Sequence, residues 1–194
     1  MNIGFLGLGK LGLPVALATE SKGHNIFGYD VTKNTIENIK KKKIDYKEIW
    51  VDDYLPKSNI NIVSIKDLVT NSEIIFVPIQ TPHHEKYEGI TRIPKERADF
   101  DYSFLIEGIK SLSEEIEKQK KDTVVIIIST VLPGTIRSKI KPLLKEHTKL
   151  VYNPFFIAMG STMRDFLEPE FILFGRDDPK ALELGKKFYR TITK

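Results

Sequence analysis

The chain has 194 residues, 41% of them hydrophobic and 29% charged, with a formal net charge of +4 and no cysteine. That length suits one domain with a full core, and the lack of cysteine excludes disulfides, thiolate metal sites and thiol nucleophiles. No apolar run reaches the roughly 18 residues of a membrane span. The opening residues read as a strand rather than a signal peptide, and the charge is too small to argue for nucleic acid, so a cytoplasmic protein is expected.

In chain order, residues 2–6 read as a buried strand. They run into Gly7-x-Gly9-x-x-Gly12 and a helix over 11–22 that tolerates Pro14 in its first turn. Gly7 permits the tight turn, Gly9 lets backbone approach a pyrophosphate, and Gly12 lets the helix pack on the sheet. A second strand over 24–30 ends on Asp30, about 20 residues on, where a ribose-binding carboxylate belongs. Strand, glycine turn, helix and acid together predict a dinucleotide site, and a carboxylate there favours NAD over NADP. Lys33 is a cation close by that weakens the preference.

A helix over 32–41 carries Ile36 and Ile39 inward, and the run Lys40-Lys41-Lys42-Lys43 reads as its solvated end. Residues 44–58, with Trp50, Pro56 and Asp52-Asp53, read as an irregular loop. Strands follow at 61–64 and 73–78, the second a continuous apolar run. Residues 80–99 form the longest candidate loop, holding Pro82, His83, His84, Gly89 and Pro94. Its His83-His84-Glu85 run lacks the spacing and further ligands of a metal site. Tyr87, Trp50 and Tyr54 read as loop-pinning aromatics, and His24 and His147 as structural or exposed.

Asp101 is placed to cap a helix over 102–120 whose inward stripe is Phe104, Leu105, Gly108, Ile109, Leu112 and Ile116. A buried strand over 123–129 precedes a helix over 135–146, which Pro142 should kink or shorten. Short strands are expected at 150–152 and 171–174. Asp178-Pro179 starts a final helix over 179–192, and Arg164-Asp165 reads as a surface pair. Strands alternating with helices imply an α/β fold of Rossmann type: a doubly wound, mainly parallel sheet in a single domain over 1–194. Five loops then meet at the carboxyl edge of the strands: 7–12, 30–33, 80–82, 129–135 and 153–160.

These loops also carry a resemblance. Gly7-Leu8-Gly9-Lys10-Leu11-Gly12-Leu13-Pro14 is similar to a GxGxxGLP opening, with Gly23-His24, Asp30 and Thr81-Pro82 at matching distances. Ser129-Thr130-Val131-Leu132-Pro133-Gly134-Thr135 is similar to STVxPGT. Tyr152-Asn153-Pro154-Phe155-Phe156 with Gly160-Ser161 is similar to NPEFLxEGS, and Asp165-Phe166-Leu167-x-Pro169 with Gly175 to DFxxPxxxxxG. The chain thus resembles the N-terminal NAD-binding domain of the nucleotide-sugar 6-dehydrogenases, the UDP-glucose and UDP-N-acetylmannosamine dehydrogenase group.

The resemblance implies an oxidoreductase that takes a sugar C6 alcohol to a carboxylate with two NAD, for polysaccharide biosynthesis, on a nucleotide-sugar substrate. It implies cofactor contacts from Gly7, Gly9, Lys10, Leu11, Gly12, Asp30, Lys33, Thr81, Pro82, Ser129 and Thr130. Lys33 would lie near the adenosine end, Thr81 at the ribose or pyrophosphate, and Thr130 would position a water or hydroxyl near the reacting carbon. The departures matter equally. The family's two active-site glutamates fall on Phe155 and Met159, and its catalytic cysteine has no counterpart. An apolar side chain accepts no proton, and covalent catalysis needs an activated nucleophile. The family's central dimerisation helix and C-terminal nucleotide-sugar domain are also expected to be absent, leaving open a missing half on another chain. The pair Phe155-Phe156 would pack where that domain docks, or form an exposed patch.

Three readings follow: the cofactor part of such a dehydrogenase, unable to complete the reaction alone; a degenerate, non-catalytic module that binds NAD or a nucleotide sugar; or a reductase of the 3-hydroxyacid dehydrogenase type. The STVxPGT-like and NP-like stretches weigh against the last.

Overall fold

The computed structural model describes residues 1–87, 92 and 95–193; Gly89 and Pro94 of the long loop lie outside them. Among the described residues seven strands form one sheet in the order β3-β2-β1-β4-β5-β6-β7. They are β1 (Asn2–Leu6), β2 (Asn25–Tyr29), β3 (Asn61–Ile62), β4 (Ile74–Val77), β5 (Thr123–Ile127), β6 (Thr148–Tyr152) and β7 (Gly175–Arg176). All neighbours pair in parallel except β6 and β7. The order reverses between β1 and β4, and doubly wound sheets bind ligands in the crevice beyond the carboxyl ends at such a point.

The sheet has two buried faces because its strands alternate. Ile3, Phe5, Ile74, Phe76, Val124 and Ile126 join one apolar cluster, with helices α1 (Gly12–Ser21), α6 (Thr162–Leu167) and α7 (Pro179–Ile192). Ile75, Val77, Val125 and Ile127 join the other, against α4 (Ile65–Asn71) and α5 (Ser103–Gln119). On the first face Phe5, Phe76 and Phe188 stack in a column with centroids 5.4 and 5.2 Å apart.

Several expected elements are revised. Residues 44–58 hold a short helix, α3 (Val51–Tyr54), and a tight turn at Leu55–Lys57; α2 (Lys33–Lys40) precedes them as expected. The helices α4 and α6 are additions. The helix expected over 135–146 is a wide helical turn at Ile136–Ile140 followed by a tight one at Lys141–Leu143; Pro142 has no N–H to continue the ladder. Residues 171–174 form no strand. Ile172 and Phe174 pack inward, Phe171 and Leu173 face solvent, and pairing begins only at Gly175. Phe104 is 48% exposed rather than inward, because it stands one residue, about 100° of helix, from the Leu105-Ile109-Leu112-Ile116 stripe.

Two helix starts follow the sequence closely. Asp178 Oδ1 accepts the N–H groups of Lys180 and Ala181 at 2.7 and 3.2 Å. Asp101 Oδ1 accepts Ser103 N–H at 2.8 Å. Each occupies a donor that the helix leaves free.

Candidate functional site

The glycine turn is shaped by contacts that only small residues allow. Gly7 has φ +118°, and a Cβ on Gly12 would lie 2.2 Å from Gly7 O. A Cβ on Gly9, in contrast, would meet no atom of the described residues within 4 Å. Backbone conformation therefore dictates Gly7 and packing dictates Gly12, while the space beside Gly9 stays open above the first turn of α1. Lys10 is exposed and Leu11 partly buried at the head of that helix.

Asp30 leaves the end of β2 and reaches back to this turn. Its Oδ2 accepts Leu8 N–H at 2.8 Å and its Oδ1 accepts Thr32 N–H at 2.7 Å. The carboxylate is thus fixed at the rim of the turn by two backbone donors. Lys33, exposed, opens α2 beside it. A cavity of about 210 Å³ lies on the outer side of the turn, between Gly9, Lys10, Asn34, Asn38 and Tyr46, with Lys10 Nζ 5.9 Å from the centre of the Tyr46 ring. Burial and the carboxylates of Glu48 and Asp45 push the Tyr46 phenol far above its ordinary value, so it stays neutral.

Across the crevice, Thr81 Oγ1 donates to Thr130 O at 2.6 Å, which joins the loops after β4 and β5. Pro82 is exposed, and its carbonyl accepts Asp101 N–H at 2.8 Å. Ser129 is buried and its hydroxyl donates to Val77 O at 3.1 Å, so it ties strand ends together, whereas Thr130 is exposed. Tyr102 anchors the 129–135 loop from below: its hydroxyl oxygen accepts Leu132 N–H at 3.1 Å and lies 3.3 Å from Thr135 Oγ1.

The 153–160 loop forms the far wall. Asn153 is buried; its Nδ2 donates to Leu173 O at 2.9 Å and its Oδ1 accepts the Tyr189 hydroxyl. Phe155 is partly buried against the core, its ring 5.4 Å from that of Phe166, while Phe156 and Met159 are 58% and 60% exposed. Phe156 lies against the exposed Phe171, 4.6 Å between centroids, at a cleft of about 300 Å³. Asp165 is the carboxylate best held nearby. Partial burial works to raise it, but donation from Ala158 N–H, Ser161 Oγ and Arg164 outweighs that and keeps it below the usual carboxylate range.

Spacing did not point to Glu48. It is buried, and its carboxylate accepts Gly160 N–H at 3.0 Å and Thr162 Oγ1 at 3.1 Å, with Met163 N at 3.5 Å. Ile49 N–H returns a bond to Gly160 O at 2.9 Å. The segment after α2 is therefore clasped to the turn that ends the far wall. Trp50 follows in a left-handed conformation, φ +71°, that a bulky side chain seldom adopts. His83 and His84, both exposed, face Phe100 and Tyr87 edge-on, each at 6.4 Å.

The NAD binding domain of the UDP-glucose/GDP-mannose dehydrogenase family matches residues 1–193. The chain belongs to that family. Among the family's members, the UDP-glucose 6-dehydrogenase of Rickettsia felis is 28% identical over 196 residues, covering 97% of this chain and 41% of that protein. The UDP-N-acetyl-D-mannosamine dehydrogenase of Pyrococcus horikoshii is 26% identical over 206 residues, covering 100% and 45%. A ternary complex of GDP-mannose dehydrogenase from Pseudomonas aeruginosa shares the fold, with TM-score 0.86, 23% identity, and coverage of 100% and 46%. The chain thus spans less than half the length of these relatives. Within the UDP-glucose/GDP-mannose dehydrogenase family it represents the NAD-binding domain, and its cofactor is NAD. The open space beside Gly9 and the fixed Asp30 carboxylate are the features a dinucleotide requires.

Proposed function

We propose that this chain is the cofactor part of a nucleotide-sugar 6-dehydrogenase-like oxidoreductase, a single domain that holds NAD along the carboxyl edge of its sheet. The observation that carries the reading is the glycine turn with Asp30 fixed at its rim. In this reading the N–H groups at the head of α1, from Gly9 through Gly12, and the positive end of that helix receive the pyrophosphate. The Asp30 carboxylate accepts ribose hydroxyls, and Lys33 borders the adenosine end. Thr81, Pro82, Ser129 and Thr130 line the nicotinamide side, Ser129 through its backbone because its hydroxyl is engaged within the sheet. NAD, when bound, supplies the hydride acceptor for oxidation of the sugar alcohol. Thr130 is the exposed hydroxyl placed to orient the reacting oxygen or a water.

Full oxidation to a carboxylate needs an acid–base group and a nucleophile besides. Phe155 and Met159 stand at the family's glutamate positions, and no cysteine is present. We therefore assign these 194 residues binding without complete turnover. A segment outside them, on the same or another polypeptide, contributes the nucleotide-sugar site and the remaining groups. A purely binding module is the second reading, favoured by the apolar Phe155, which packs on Phe166 at one of the family's glutamate positions.

Calorimetric titration with NAD, then NADP, followed by a nucleotide-sugar panel read by NADH absorbance, tests this. NAD binding without NADH formation is the expected result. Failure to bind NAD would overturn the cofactor assignment for the isolated chain. NADH formation would show that Phe155, Met159 and the absent cysteine do not prevent turnover.

A further inference from the structure

At the sheet edge opposite the glycine turn, the last turn of α5 meets the entries to β5 and β6. One carboxylate oxygen each of Glu117 and Glu146 and one imidazole nitrogen of His147 lie within 4.8 Å of one another. Two further observations bear on this cluster. His147 Nδ1 is 2.8 Å from Asp122 Oδ1, a carboxylate–imidazole contact of the kind that orients metal-binding histidines. Glu117 Oε2 is sealed from solvent and has no hydrogen-bond partner among the described residues, a costly state for a carboxylate oxygen unless something cationic meets it.

We propose that Glu117, Glu146 and His147 form a structural site for a divalent transition-metal ion, with zinc as the fitting case. Mixed imidazole and carboxylate donors suit zinc and its neighbours, whereas calcium and magnesium favour all-oxygen sets. Two carboxylates and a neutral imidazole also balance a dication. Lys149, two residues beyond His147, is engaged elsewhere: its Nζ donates to Glu146 O at 2.8 Å and sits 3.7 Å from Asp122 Oδ1. A tetrahedral ion with ligands at about 2.0–2.2 Å needs those atoms about 3.3 Å apart. Glu146, whose side chain is exposed, closes the difference by turning about its own bonds. The fourth position falls to water. The ion would clasp the end of α5 to the start of β6, far from the NAD edge, and act on stability rather than chemistry.

The test is thermal unfolding of the metal-stripped full chain with added Zn²⁺, beside three variants: His147→Asn, Glu117→Gln, and the double change His83→Asn/His84→Asn. The unsubstituted chain and the double variant should gain several degrees, reversed by chelator, while His147→Asn and Glu117→Gln gain none. No gain in the unsubstituted chain, an undiminished gain in His147→Asn, or a gain abolished by the double change would each overturn the site. Should His147→Asn or Glu117→Gln fail to fold, Co²⁺ added to the unsubstituted chain decides. Paramagnetic broadening of the His147 ring resonances supports the proposal, and broadening confined to His83 and His84 overturns it.

Discussion

Gly9 and Gly12 are three positions apart and answer to different constraints. A methyl on Gly12 would collide with Gly7 O at 2.2 Å, and that oxygen is backbone, which no side-chain rotation can move aside. Gly12→Ala should cost about 2–3 kcal/mol, seen as a melting temperature lower by roughly 4–12 °C. A methyl on Gly9 meets no atom of the described residues within 4 Å, so Gly9→Ala should fold with an unchanged melting temperature. It should still weaken NAD on the order of 10-fold, by filling the space a phosphate needs. An equal loss of NAD affinity in a variant elsewhere on the turn, with Gly9→Ala binding normally, would remove the phosphate from this position. Asp30→Asn keeps the shape and discards the charge. Loss of a charged hydrogen bond is worth about 1.5–3 kcal/mol, so calorimetry should show NAD weakened roughly 10- to 150-fold and the preference against NADP relaxed.

The long elements were legible in the sequence because their signals are repeated: β1, α5, β5 and α7 agree with the expected spans to within two residues. The short helices were not. Seven residues in α4 and six in α6 span too little of the helical period for an apolar stripe to register. For α4 a local signal existed: Ser64 and Asp67 form a reciprocal cap, with Ser64 Oγ accepting Asp67 N–H at 3.1 Å and donating to Asp67 Oδ2 at 2.7 Å. The site divides the same way. Its near half, the glycine turn and Asp30, is written in local spacing. The clasp at Glu48 is not, because its partners Gly160, Thr162 and Met163 are 112 to 115 residues further on. Glu48→Ala should leave those donors buried without an acceptor and cost about 1–3 kcal/mol. Hydrogen exchange should speed at the amides of Gly160 and Met163 while α5 amides keep their protection. Unchanged exchange at Gly160 would show that the clasp does not hold the far wall.

At the scale of the whole molecule, His24 couples the start of β2 to α7. Its Nε2 is 2.7 Å from Thr191 Oγ1, its ring packs 5.3 Å from Phe188, and its Nδ1 is buried without a partner among the described residues. Burial, then the charge of the chain's amino terminus, lowers its pKa from the ordinary 6.5, with Glu73 opposing. The unfolded chain therefore binds more protons between the two values. Stability contributed by neutral His24 is complete above about pH 6.5 and declines as pH falls toward the lower folded value. Urea midpoints should drop between about pH 7.5 and 5.5, and His24→Gln should flatten that part of the slope. A slope unchanged in His24→Gln would assign the acid sensitivity to other groups.

The two rims of the sheet bear on how the molecule behaves in company. β3 and β7 have two residues each, and β7 runs against its neighbour. Between them, β1, β4 and β5 lie inside the sheet with a partner strand on either side, while β2 and β6 meet β3 and β7 only along Phe27–Gly28 and Val151–Tyr152. A passing chain thus meets short, interrupted rims rather than one long edge. The β-rich, strongly apolar segments of 74–77 and 123–127 would aggregate readily if their edges were bare. They are shielded in the folded state, so clumping by this route requires unfolding first.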